Sequence, residues 1–216
     1  HGGAGTIYTE TSAQSGGHGV LLLDNNGNRT VPQGYTAGAA GADTVYTNFS
    51  EIIITNGATL GIHDGDVFDF TADNLTCSGR DDAQITILGD SAVTYGATFT
   101  VDGFTLAADG IGTIPGNLVI GADGIITHSH NWGSKAYSIE MTVTGDLTVQ
   151  SGGELNANAI GFGNNLGPGR GNWSPGRGGC HGGQGASGDD HPSDTYGAIM
   201  RPTTFGSTRP SGGDSF

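Results

Sequence analysis

The feature that most constrains this chain is the brevity of its apolar segments. Hydrophobic residues come in runs of three or four, and nearly every run is closed by a turn signal. Val20-Leu21-Leu22-Leu23 leads into Asp24-Asn25-Asn26-Gly27-Asn28, Ile52-Ile53-Ile54 into Asn56-Gly57, and Ile85-Thr86-Ile87-Leu88 into Gly89-Asp90. Phe99-Thr100-Val101 leads into Asp102-Gly103, Leu118-Val119-Ile120 into Asp123-Gly124, and Leu147-Thr148-Val149 into Gly152-Gly153. Apolar spacing of i, i+3, i+4, i+7 persists nowhere, so no long amphipathic helix is expected. Runs this short suit β-strands, and the Asn, Asp and Gly between them take positive φ at little cost. A second run follows several of the turns (Ala58-Thr59-Leu60, Phe104-Thr105-Leu106, Ile125-Ile126, Glu154-Leu155), which makes a loose repeat of strand, glycine turn, strand. The turn glycines Gly103, Gly124 and Gly153 recur at intervals of about 20 to 30 residues, a period typical of stacked-repeat folds.

One such unit is too short and too polar to bury its own apolar face, whereas stacked units bury a continuous core. The expected fold is all-β: a parallel β-helix (β-solenoid) with a glycine-rich, irregular C-terminal region. The β-sandwich is the alternative that the same short strands allow. Three zones follow. Residues 1–50 hold N-terminal strands and turns and a possible contact region between subunits. Residues 51–160 form the solenoid core. Residues 161–216, rich in Gly, Asn, Pro and Ser, form a loop layer on that core, with Phe162, Trp173, Tyr196, Phe205 and Phe216 as anchors.

Composition supports this class. Glycine contributes 42 of 216 residues, where average usage of about 7% would give roughly 15. There is no G-X-Y period, which excludes collagen. Charged residues make up only 13%, whereas disordered chains are usually charge-rich. Acidic residues outnumber basic ones 21 to 7, for a net charge of −14, and Lys135 is the single lysine. Nucleic acid is thereby excluded as a partner, because phosphate contacts need clustered Arg and Lys. An anionic membrane surface is disfavoured for the same reason, and no apolar run approaches the ~20 residues of a membrane span. The chain opens on His1 with no signal peptide, so it reads as a processed chain or as a segment of a longer one.

Candidate sites are few. His63-Asp64-Gly65-Asp66 with Asp69 and Asp73 is the densest acidic cluster. Asp64, Asp66 and Asp69 offer the oxygen donors that calcium prefers, although no Glu completes an EF-hand loop, so a solvated turn is the competing reading. Asp189, Asp190 and Asp194 form a weaker cluster. His128 and His130 would share a face if they lay on a strand. Cys180, His181 and His191 could contribute to a zinc site, for which no fourth ligand is evident. Cys77 and Cys180 could form a disulfide worth roughly 4–5 kcal/mol on the loop-entropy model, or remain two separate buried thiols. Asn28, Asn48, Asn74 and Asn172 head N-glycosylation sequons. No GxSxG, P-loop or HExxH motif occurs, and seven basic residues give no lyase-like constellation, so an enzyme is not expected. No cofactor is expected apart from calcium.

Several segments resemble glycine-rich β-helical repeat regions of large bacterial or archaeal cell-surface, adhesin-like proteins. They are Gly2-Gly3-Ala4-Gly5-Thr6-Ile7-Tyr8, Gly124-Ile125-Ile126-Thr127-His128-Ser129-His130, Gly145-Asp146-Leu147-Thr148-Val149, Gly161-Phe162-Gly163 and Gly178-Gly179-Cys180-His181-Gly182-Gly183-Gln184-Gly185. The resemblance implies an extracellular stalk or filament subunit at the cell surface, with copies of itself as partner. In such proteins a glycine-rich tail leads into a further GGAG-type strand. Here the tail stops at Ser211-Gly212-Gly213-Asp214-Ser215-Phe216, and the expected continuation is the chain's own start. Head-to-tail assembly is therefore expected through Gly2, Gly3, Ile7 and Tyr8 of one copy and Gly212, Gly213 and Phe216 of the next. The alternative function is a carbohydrate-binding or polysaccharide-degrading module with surface polysaccharide as ligand, for which Trp132 and Trp173 are the aromatics to expect in a groove.

Overall fold

The computed structural model describes residues 5–13, 16–27, 44–88, 92–131, 133–158, 160–163 and 166–168. These residues are all-β apart from one 3-10 turn, Tyr46–Asn48. In chain order the strands are β1 (Gly5–Thr9), β2 (Val20–Asp24), β3 (Glu51–Thr55), β4 (Ala58–Ile62), β5 (Val67–Asp69), β6 (Leu75–Cys77), β7 (Ala83–Ile87) and β8 (Ala92–Thr94). They continue as β9 (Thr98–Val101), β10 (Phe104–Ala107), β11 (Thr113–Ile114), β12 (Asn117–Ile120), β13 (Gly124–Thr127), β14 (Thr142–Val143), β15 (Leu147–Val149) and β16 (Glu154–Leu155).

The glycine turns are corners, not hairpins. Asn56 and Gly57 have φ of 55° and 80°, the left-handed values of a tight turn, yet β3 and β4 on either side of them belong to different sheets. The chain turns the corner, leaves the first sheet and pairs with strands from later in the sequence. The sheet orders are β1-β2-β3-β6, β4-β7-β10-β13-β16, β9-β12-β15, β5-β8 and β11-β14. Every strand pairing is parallel except β1 with β2, which is antiparallel. The corners also stack: Gly57 N donates to Asp82 O at 2.8 Å, Gly79 N to Gly103 O at 3.1 Å, and Gly103 N to Asp123 O at 2.7 Å. The polar backbone of each turn is thus satisfied by the next turn.

Register aligns like with like. Ala58 pairs with Ala83, Leu60 with Ile85 and Ile62 with Ile87. Ile85 then pairs with Leu106, Leu106 with Ile126 and Ile126 with Leu155. On the neighbouring sheet Phe99, Leu118 and Leu147 form one row, and Val101, Ile120 and Val149 another. Alternation along β4, β7, β9, β10, β12 and β13 sends their members of these rows to the interior, and burial of a Leu or Ile side chain stabilises by about 1.5–3 kcal/mol. Aromatic rings fill the rest of the core: Tyr46 lies 5.5 Å from Phe68, Phe68 lies 4.8 Å from Phe70, and Phe70 lies 4.6 Å from Phe99.

One glycine behaves differently from its sequence signal. Asp102-Gly103 and Asp123-Gly124 look alike, and Gly103 does turn, at φ 74°. Gly124 instead heads β13. A Cβ there would collide with the Val101 carbonyl of the adjacent corner, so glycine is needed for close approach of two backbones.

The chain divides into two compact units, 1–129 with 138–156 and 130–137 with 157–216. The first holds all sixteen strands of the described residues, so β1 and β2 belong with the later strands. In the second, the buried Asn131 organises the backbone. Its Oδ1 accepts from Ala136 N at 2.6 Å and Tyr137 N at 2.8 Å, and its Nδ2 donates to Tyr137 O at 2.8 Å.

Candidate functional site

The rows of core residues are interrupted at one end of the first unit. Leu60, Ile85, Leu106 and Ile126 are each 0% exposed, yet Leu155, the next member of the row, is 50% exposed. Leu118 and Ile120 are buried, whereas Leu147 and Val149 beside them are 49% and 45% exposed. Among the described residues β15 and β16 are the outer strands of their sheets, so interior-type side chains lie on edge strands there. Arg80 ties this end together. Arg80 Nη1 donates to Gly152 O at 2.8 Å and to Glu154 Oε1 at 3.3 Å, and its Nε lies 3.7 Å from Asp123 Oδ1. One guanidinium therefore fastens the β16 corner to the loop before β7. A cavity of about 180 Å³ lies beside it, lined by Thr59, Arg80, Asp81, Asp82 and Gln84 among others. Sequence reasoning missed Arg80 because its partners lie far along the chain; its rarity as a cation was the available signal.

The opposite end is the antiparallel β1, exposed along its whole length. Of the residues expected to mediate assembly, Ile7 and Tyr8 lie here with large exposed surfaces. The Tyr8 hydroxyl accepts from Gly19 N at 3.0 Å and donates to Glu10 Oε2 at 2.9 Å, and its ring meets Phe49 edge-on at 6.0 Å. Gly2, Gly3, Gly212, Gly213 and Phe216 lie outside the described residues.

The acidic cluster is built as a corner. Asp66 is buried; its Oδ1 accepts from Thr44 N at 2.8 Å and its Oδ2 from His63 N at 2.7 Å. Asp69 Oδ1 accepts from both the Thr71 amide and the Thr71 hydroxyl, at 2.8 and 2.7 Å. Asp64 is exposed. Among the described residues no three His, Cys, Asp or Glu side chains converge on a position that could hold a metal ion. Local hydrogen bonding by Asp66 and Asp69 is the use the geometry supports.

β13 ends at Thr127, so His128 and His130 lie beyond the strand. The buried His128 donates from Nδ1 to Ser129 O at 2.8 Å, and Ser129 N donates to Asp109 Oδ1 at 2.7 Å. Cys77 faces inward in register with Ile54 and forms no disulfide among the described residues. Burial pushes its thiol pKa up to about 12, so it behaves as a small apolar side chain. Its expected partner Cys180 lies outside the described residues, as do His181, His191, Asp189, Asp190, Asp194, Trp132 and Trp173. Of the sequons, Asn48 and Asn74 are described, and Asn28 and Asn172 are not.

No protein-family model, curated protein or solved structure matches this chain.

Proposed function

We propose that the chain is a segment of a parallel β-solenoid serving as a structural subunit of an extracellular filament or cell-surface stalk, with a second copy of itself adding to the β15–β16 end. The carrying observation is the run of core rows that is buried through β12 and β13 and emerges half exposed at Leu147, Val149 and Leu155. Parallel stacking is a repeated translation, so the outermost strands present the same side chains and backbone groups as the strands beneath them. A further strand of the same pattern fits there without a new kind of contact. The solenoid reading is supported by the order of visits: the chain alternates between the β9-β12-β15 and β4-β7-β10-β13-β16 sheets, joined by stacked corners. Contact between unlike ends that repeats as a translation along the stack does not close and so yields fibres. The extracellular placement draws on the glycine-rich segments that resemble cell-surface repeats and on the acidic balance.

The test is oligomeric state. Electron microscopy and sedimentation over rising concentration should reveal linear assemblies. Leu155→Asp with Val149→Asp should abolish them while the dilute chain still folds, its melting temperature lowered by only a few degrees. A protein that stays monomeric at high concentration refutes the reading.

A further inference from the structure

The two described sequons have the same sequence pattern and different settings in the fold. In Asn74-Leu75-Thr76 both recognition groups are in use: Asn74 Nδ2 donates to Phe49 O at 3.0 Å, and Thr76 Oγ1 donates to Glu51 Oε1 at 3.0 Å. Asn74 O also accepts from Ile52 N at 2.7 Å, and Leu75 and Thr76 are laddered in β6 against Ile52 and Ile53. Modification would take the amide nitrogen from Phe49 O and force a strand edge out of its sheet. Asn48-Phe49-Ser50 lies outside any strand. Asn48 ends the 3-10 turn, is exposed, and its carboxamide makes no hydrogen bond among the described residues. Ser50 is exposed too, and the half-buried Phe49 between them packs on Tyr8 and Tyr46, which turns its neighbours outward.

We infer that Asn48 is an N-glycan acceptor of the folded chain and that Asn74 is not. The inference rests on the extracellular part of the proposed function and not on filament assembly. In the transfer, the Asn48 carboxamide nitrogen bonds to the anomeric carbon of a polyprenyl-diphosphate-linked oligosaccharide. The bond from that carbon to the diphosphate oxygen breaks, polyprenyl diphosphate leaves with the electron pair, and one amide proton passes to a base of the transferase. A sugar at Asn48 projects from an exposed turn, where it disturbs no strand pairing.

The test incubates the purified, folded chain with an oligosaccharyltransferase that accepts Asn-X-Ser/Thr and with a polyprenyl-diphosphate oligosaccharide. Each site is then read by glycopeptide mass spectrometry. Two synthetic peptides, one spanning each sequon, measure intrinsic acceptance. The expected result is that both peptides are modified while the folded chain carries sugar at Asn48 and none at Asn74; Asn48→Gln removes that glycopeptide. Sugar at Asn74 of the folded chain, or none at Asn48 in either chain or peptide, overturns the inference. Occupancy is read by mass and assembly by particle shape, so either reading can fail without the other.

Discussion

Leu106 and Leu155 belong to one row of core side chains, two strands apart, and the structure assigns them very different energies. Leu→Ala removes about three carbons, worth roughly 2.4 kcal/mol at ~0.8 kcal/mol per buried methylene. At Leu106, which has no exposed surface, the vacated space is enclosed by Ile85 and Ile126 on the adjacent strands. A cavity term adds to the transfer term, and the total falls at about 3–5 kcal/mol. Leu155 is 50% exposed, so about half of the transfer term applies, no closed cavity forms, and the loss is about 1 kcal/mol. Urea unfolding followed by far-UV circular dichroism measures both, at concentrations below any assembly, with the slope checked for constancy. Leu106→Ala should take a large share of a total stability of about 5–15 kcal/mol, while Leu155→Ala shifts the midpoint slightly. Equal losses would refute the reasoning, because they would mean that the β16 end is already covered in the isolated chain.

Asp66→Ala strands the Thr44 and His63 amides and should destabilise by about 1–3 kcal/mol; Asp64→Ala, at an exposed position, should be nearly neutral, and thermal melting of the pair separates the two. Burial raises Cys77 and Tyr95 from ordinary values of 9.0 and 10.0 to about 12, and raises Tyr46 further. Above pH 9 the unfolded chain therefore loses protons that the folded chain retains, and stability falls as pH rises. The contribution of these groups is fully present below pH 9 and declines toward pH 12. The urea midpoint should drop over that window, and Cys77→Ser should remove the earliest part of the drop; a flat midpoint would contradict the burial of these three groups.

Much of the local structure was legible because its causes are local. The run Ile52-Ile53-Ile54 marks a strand, and Asn56-Gly57 marks a tight turn because few other residues accept positive φ. Four short strands, β5, β8, β11 and β14, gave no signal: they have two or three residues, and among the strands they pair only with one another, β5 with β8 and β11 with β14. The acidic corner was legible as a cluster but not in its use, since Thr44 reaches Asp66 from an earlier segment.

The sequence by itself determined short strands and the turns between them, since each follows from φ preference and residue type over a few positions. Tertiary structure decided what lies beside what. Parallel pairing joins residues many positions apart, and no local preference encodes that register. It made Gly124 a point of backbone contact where Gly103 is a turn, and it made Cys77 a core residue beside Ile54. It buried Leu106 and left Leu155 half exposed at the last strand, because burial depends on whether another strand is stacked above and not on the leucine.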